Sequence, residues 1–171
     1  MSNTTFYQKL YTTAASPFRQ KPKALKALIF FEKTLVGVSM AAYAALVFYA
    51  VFGLAFEWKN ALCTLVLPAA CLLAVSVLRK LIKRARPYEE KIIPLVQKEA
   101  EGNSFPSRHT ACAFVIATVA TAYIPLAGGI LYAVGVWIAF FRFLFGHHYP
   151  TDLLGGVVLG FLFGFPAFFL V

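Results

Sequence analysis

The chain has 171 residues, 60% of them hydrophobic and only 13% charged, about half the charged share of an ordinary soluble domain. With a mean hydropathy of +0.73 and apolar residues gathered in long runs, this composition excludes a soluble globular domain and, lacking alternation, a strand barrel. The formal charge of +9 in so apolar a chain points to anionic lipid headgroups and orientation signals rather than to nucleic acid.

Residues 1–34 form a basic N-terminal arm, with Lys9, Arg19, Lys21, Lys23, Lys26 and Lys33 set among aromatics. No cleavable signal peptide is evident, since no apolar core follows closely on the start. The arm is expected to be an amphipathic segment at the membrane interface or in the cytoplasm, touching anionic lipid. A further membrane helix in "ALKALIFFEKT" is disfavoured, because Glu32 and Lys33 interrupt it.

Residues 35–171 contain five apolar blocks: Leu35 to Phe56, Ala61 to Leu78, Thr110 to Ile124, Leu126 to Phe141 and Leu153 to Val171. A bilayer core of about 30 Å takes roughly 20 apolar helical residues, and backbone groups in lipid must be satisfied within their own segment. The expected fold is therefore all-α, a polytopic transmembrane bundle of five helices, or six if the arm also crosses. Gly156, Gly160 and Gly164 recur at a spacing suited to close helix packing. Cys63, Cys71 and Cys112 lie inside apolar blocks; an odd number with no CxxC pair suggests neither a disulfide framework nor a zinc site.

Three polar junctions between the blocks carry the chemistry. "RKLIKRARP", Arg79 to Pro87, places five cations in nine residues, more than helix anchoring requires, and Pro87 extends the backbone at Arg86. "NSFPSRHT", Asn103 to Thr110, opens the third block: Ser104 or Ser107 can cap a helix there, Pro106 suits its first turn, and free N–H groups beside Arg108 and His109 form a ready anion site. "RFLFGHHYPTD", Arg142 to Asp152, puts His147 and His148 in a short loop before an aspartate. A carboxylate beside an imidazole fixes its tautomer and leaves the other nitrogen free to attack. Glu89 and Glu90 read as part of a solvated loop.

With five crossings, all three junctions fall on one side of the membrane. Arg79, Arg86, Ser107, Arg108, His109, Arg142, His148 and Asp152 can then converge on one pocket, with arginine forks matched to phosphate oxygens.

The order and spacing of these residues resemble the type 2 phosphatidic acid phosphatase superfamily, which also includes the vanadium haloperoxidases. That family shows a basic residue, six residues and Arg-Pro; then Pro-Ser-x-His; then Arg, five residues, His, three residues and Asp. Here these are Arg79 to Arg86-Pro87, Pro106-Ser107-Arg108-His109, and Arg142, His148 and Asp152. Arg79 stands where the family usually has lysine, with Lys80 next to it; Arg108 replaces a frequent glycine, and Phe141 a frequent serine. Members usually have six membrane helices.

The resemblance implies that His148 is the nucleophile, that Asp152 orients it, and that His109 is the general acid and then base. It also implies that Arg79, Arg86, Ser107, Arg108, Arg142 and Lys80 bind the phosphate, without metal or other cofactor. His147 is the rival nucleophile, set aside by the spacing to Arg142 and Asp152. The expected function is hydrolysis of a lipid phosphate or diphosphate (undecaprenyl diphosphate or phosphatidate/phosphatidylglycerophosphate type) through a phosphohistidine. The alternatives are a lipid phosphotransferase using the same site and a non-catalytic lipid-phosphate-binding or transport bundle. The expected partners are the lipid phosphate substrate and membrane lipids, with no nucleic acid and no obligatory protein. Setting aside Arg79, Arg86, Arg108 and Arg142, eleven cations fall on the side of the junctions and only Lys59 on the other. The positive-inside rule then places the site of a multi-pass, bacterial cell-membrane protein in the cytoplasm.

Overall fold

In the computed structural model, which describes residues 3–53, 57–90, 92–97 and 102–171, every regular element is a helix. Helix α1 (Asn3–Arg19) precedes the long α2 (Pro22–Phe48), which continues through a π-turn to Gly53. Helix α3 (Trp58–Ala61) runs through a second π-turn into α4 (Leu67–Ile82). Then come α5 (Arg108–Tyr123), α6 (Pro125–Leu144), α7 (Pro150–Gly164) and the short α8 (Ala167–Leu170). Pro22, Pro125 and Pro150 open α2, α6 and α7, where a missing N–H costs no intrahelical bond. The α4 helix stops at Lys83, a lysine in left-handed conformation (φ 48°) whose N–H returns to the Arg79 carbonyl at 3.2 Å.

Among the described residues, four stretches are long and apolar enough to cross a membrane: Pro22–Gly53, Trp58–Glu90, Pro125–Leu144 and Pro150–Leu170. The first begins well before Leu35, and Glu32 does not interrupt it. The Glu32 carboxylate is buried and pairs with Arg142 of α6 at 2.5 Å, so it faces a guanidinium across the bundle instead of lipid. Residues 1–34 accordingly divide into α1 and the first turns of α2. Lys91, Lys98 and the block end at Phe56 lie outside the described residues.

The third apolar block is different in kind. Helix α5 has 16 residues, and all but Cys112 are buried from Thr110 to Ala120. A helix apolar all round belongs in a core, and α5 packs against α4, α6 and α7. The glycines of α7 permit a close approach to α5, as Gly128 of α6 does at Thr121. A Cβ at Gly160 would come within 2.5 Å of the Phe114 Cβ, and one at Gly164 within 2.5 Å of the Thr118 Cβ. Small residues let membrane helices gain contact where lipid supplies no hydrophobic drive. The consequence for the site is direct: the starts of α5 and α7 meet, and Ser107 N–H bonds the Asp152 carbonyl at 2.9 Å.

Helix α1 lies across this same end. Tyr7, Tyr11 and Ala15 are buried against Ile92 and Tyr149, with the Tyr7 and Tyr149 rings 4.7 Å apart. The Tyr11 hydroxyl accepts the Leu95 N–H at 2.8 Å, and Arg19 donates to the Ile93 carbonyl at 2.6 Å.

Candidate active site

The loop from Gly146 to Tyr149 is pinned at both ends. Gly146 takes φ 77°, and a Cβ there would lie 3.0 Å from the Tyr11 hydroxyl, so glycine is required by both conformation and space. At the other end Tyr149 is extended, Pro150 starts α7, and Asp152 accepts the Tyr149 N–H at 2.9 Å, an N-terminal cap read backwards from the third helical position.

This closure sets His148 beside Asp152. The imidazole Nδ1 is 3.6 Å from Asp152 Oδ2 and 3.5 Å from Ser104 Oγ. Asp152 is wholly buried, yet both its oxygens are satisfied: Arg84 donates to Oδ1 at 2.8 Å, and the Ser104 hydroxyl donates to Oδ2 in a short hydrogen bond. Those bonds make burial of a carboxylate tolerable. His148 itself is 2% exposed. Burial above all lowers its pKa below 6.5, with Arg86 and Arg79 acting in the same direction and Asp152 opposing them. The imidazole is thereby held neutral, and a carboxylate on the Nδ1 side leaves Nε2 with the lone pair.

The cations gather around this pair unequally. Arg86 is 3% exposed; its Nε donates to the Gly102 carbonyl at 3.0 Å, and its Nη1 has no partner among the described residues. Electrostatically it faces His148, Arg79 and Arg142 at once. Arg79 donates to the Pro106 carbonyl at 3.3 Å. Arg142 spends one Nη on Glu32, while its buried Nε has no partner among the described residues. Arg108 is exposed and His109 half-buried, and both line an adjoining cavity of about 200 Å³ with Val36, Ser39 and Cys112. Lys80 is exposed and lines a different cleft, with Lys83 and Asn103. The structure thus brings Arg79, Arg86, Arg142, Ser107, His148 and Asp152 to one end of the bundle, sets Arg108 and His109 against a neighbouring cavity, and turns Lys80 away.

Some local expectations are corrected. Ser107 occupies the cap position of α5 but does not cap it: its hydroxyl accepts from Thr110 at 3.0 Å, and the first turn of α5 is left with no side-chain cap. Ser104 bonds Asp152 instead, and Pro106 precedes the cap position. Glu89 and Glu90 are not merely solvated. Glu89 accepts the N–H groups of Arg86 and Gly102, and Glu90 accepts the Tyr149 hydroxyl at 2.7 Å. His147 meets the Val96 carbonyl at 3.1 Å through Nε2.

Arg84, Ser104 and Glu32 are the site neighbours that the motif reading does not select. Arg84 also lies over the Tyr149 ring at 4.3 Å. In "RKLIKRARP" it is indistinguishable from a snorkelling cation; the left-handed turn at Lys83 is what aims it inward. Among the described residues, no three His, Cys, Asp or Glu side chains gather as a metal-binding set.

The profile of the PAP2 superfamily matches residues 58–171, which include all three motifs. The chain belongs to the PAP2 superfamily. One relative, undecaprenyl-diphosphatase BcrC of Bacillus subtilis (strain 168), is 34% identical over 83 residues, which make up 48% of this chain and 43% of that protein. The chain therefore spans less than half the length of that relative. Two solved structures share the fold. The crystal structure of Aquifex aeolicus LpxE aligns with a TM-score of 0.69 at 23% identity, covering 93% of this chain and 92% of that one. The transmembrane PAP2-type phosphatidylglycerolphosphate phosphatase from Bacillus subtilis aligns at 0.58 and 22% identity, covering 98% and 94%. In this PAP2 chain, as in its neighbours, the fold is a transmembrane helical bundle.

Proposed function

We propose that this PAP2 protein is a membrane lipid phosphatase acting through a phosphohistidine, with an undecaprenyl-type lipid diphosphate as its foremost substrate. The observation that carries the reading is the buried His148–Asp152 pair facing an arginine, Arg86, with an unused buried N–H. Simple anion binding needs cations alone; an oriented neutral imidazole is what nucleophilic attack needs. The identity to an undecaprenyl-diphosphatase supports the choice of substrate.

In the first step His148 Nε2 attacks phosphorus, the P–N bond forms, and the bond to the leaving oxygen breaks. His109 gives that oxygen its proton. Asp152 closes on Nδ1–H as positive charge develops, tightening the 3.6 Å contact, as catalytic contacts do on reaction. Arg79, Arg86, Arg142 and the uncapped N–H groups at the start of α5 stabilise the equatorial oxygens. In the second step His109 takes a proton from water, water attacks phosphorus, and the P–N bond breaks to release inorganic phosphate. Arg108 and Lys80 lie further out and serve to attract the anionic headgroup. No metal enters this scheme. The site faces the cytoplasm, because α1 and the motifs share the end that carries most cations.

The test is phosphate release by the purified protein across undecaprenyl diphosphate, phosphatidate and phosphatidylglycerophosphate. Fastest turnover of the prenyl diphosphate is expected. Binding of all three with release from none would leave only a lipid-phosphate-binding bundle.

A further inference from the structure

The PAP2 profile begins at residue 58, yet part of the support of the catalytic loop comes from α1, ahead of it. Tyr11 of α1 is fully buried, and a buried tyrosine hydroxyl usually has work to do. This one sits where three segments cross. It accepts the Leu95 N–H at 2.8 Å, donates to the Ile93 carbonyl at 3.4 Å, and lies against Gly146, where an added Cβ would be 3.0 Å away. The Pro94 Cα would be 3.3 Å from that same Cβ. Arg19, further along α1, donates to the Ile93 carbonyl at 2.6 Å. Residues 93–96, which form no helix or strand, are thus tied by α1 into a strap across the start of the loop.

The strap in turn holds the loop. The Val96 carbonyl meets His147 Nε2 at 3.1 Å, and Leu95 and Val96 pack on the cluster of Phe141, Leu144 and Phe145 at the end of α6. From the α6 side, the N–H groups of Gly146 and His147 bond the Phe143 and Arg142 carbonyls at 2.9 and 3.1 Å. The backbone leading into His148 is therefore clamped between α6 and the strap. This matters because the contact from His148 Nδ1 to Asp152 is long, at 3.6 Å, so the backbone as well as the carboxylate must aim the imidazole. We propose that Tyr11 is a positioning residue for His148: its hydroxyl fixes the strap, the strap fixes Gly146 and His147, and these aim the ring that follows. Without the hydroxyl, the Leu95 N–H loses its acceptor and the strap gains by turning that group to water. The ring packing on Tyr7 and Phe143 would remain.

The rate measurements rest on the lipid-phosphatase reading; the exchange measurements do not. Phosphate release from undecaprenyl diphosphate and amide hydrogen exchange are both followed on the full chain in nanodiscs. In Tyr11→Phe, kcat should fall about tenfold with KM little changed, the mark of a reacting group slightly displaced. Exchange should quicken over residues 92–97 and also over 146–149. Arg19→Gln, at an exposed position, should do the same more weakly, with kcat lowered about threefold. Thr12→Ala, on the exposed face of α1, should match wild type in both measurements. Faster exchange over 92–97 with wild-type kcat, an effect on KM alone, or an equal loss in Thr12→Ala would each overturn the proposal. If Tyr11→Phe does not fold, Arg19→Gln decides by the same outcomes. If wild type releases no phosphate, the functional reading fails, and unaltered exchange over 146–149 in Tyr11→Phe would by itself overturn the clamp.

Discussion

One carboxylate oxygen of Asp152 stands 3.6 Å from the Nδ1 of His148, and the carboxylate is anchored from outside the motif, by Ser104 at that same oxygen and by Arg84 at the other. Arg84 and Ser104 hold it in place. Removing either holder should leave the nucleophile present but poorly aimed. Ser104→Ala and Arg84→Gln are each expected to lower kcat by about ten- to a hundredfold, the usual effect of losing an orienting partner, with little change in KM. Arg84→Lys should recover part of the loss. A KM effect without a kcat effect would make these residues substrate contacts instead.

Burial keeps His148 below the ordinary histidine value of 6.5, helped by Arg86 and Arg79. The acid limb of kcat/KM should therefore fall off below pH 6.5. In Arg86→Gln, which removes a cation, that limb should move towards higher pH even though the rate is lower. The same shift bears on stability. Between the depressed value and 6.5 an unfolded chain binds a proton that the folded chain does not, so stability is lost as pH falls through that window. An acid limb that stays in place when Arg86 is removed would separate it from His148.

The Glu32–Arg142 pair is a buried charge pair between α2 and α6. Glu32→Ala leaves the guanidinium buried without its partner, which should cost about 3–5 kcal/mol and lower the thermal midpoint in detergent markedly. The double change of Glu32 and Arg142 to leucine should recover much of that stability without restoring turnover. An unchanged midpoint in Glu32→Ala would mean that the pair carries no structural weight.

Which of these features are legible in the sequence follows from how local their causes are. The apolar runs announce helices because the bilayer requires length and hydropathy within each segment. The motif spacings announce that Arg86, His148 and Asp152 come together, because short junctions fix each of them beside a helix end. The start of α2 is hidden because Glu32 looks like a break until its partner, Arg142, is brought across the bundle. The central position of α5 is hidden because apolar residues read alike whether they face lipid or other helices. Arg84 is hidden among neighbouring cations, and Ser104 passes for a cap residue.

The proposed cytoplasmic orientation rests on the charge at one end of the bundle. A single cysteine at Lys23, in a chain whose Cys63, Cys71 and Cys112 are replaced by alanine, should resist a membrane-impermeant maleimide in whole cells and react once they are opened. Ready labelling of intact cells would place the site outside.

The central claim, a phosphohistidine at His148, is tested most directly by trapping it. Purified protein is mixed with a prenyl diphosphate carrying ³²P in its terminal phosphate, with EDTA present, and quenched during turnover. The account predicts a protein label that survives alkali, is lost in acid and maps to His148. It should be absent from His148→Ala, which should turn over roughly 10⁴-fold more slowly or not at all, and present in His147→Ala. Release of phosphate by His148→Ala at the wild-type rate, or an acid-stable label on another residue, would contradict it.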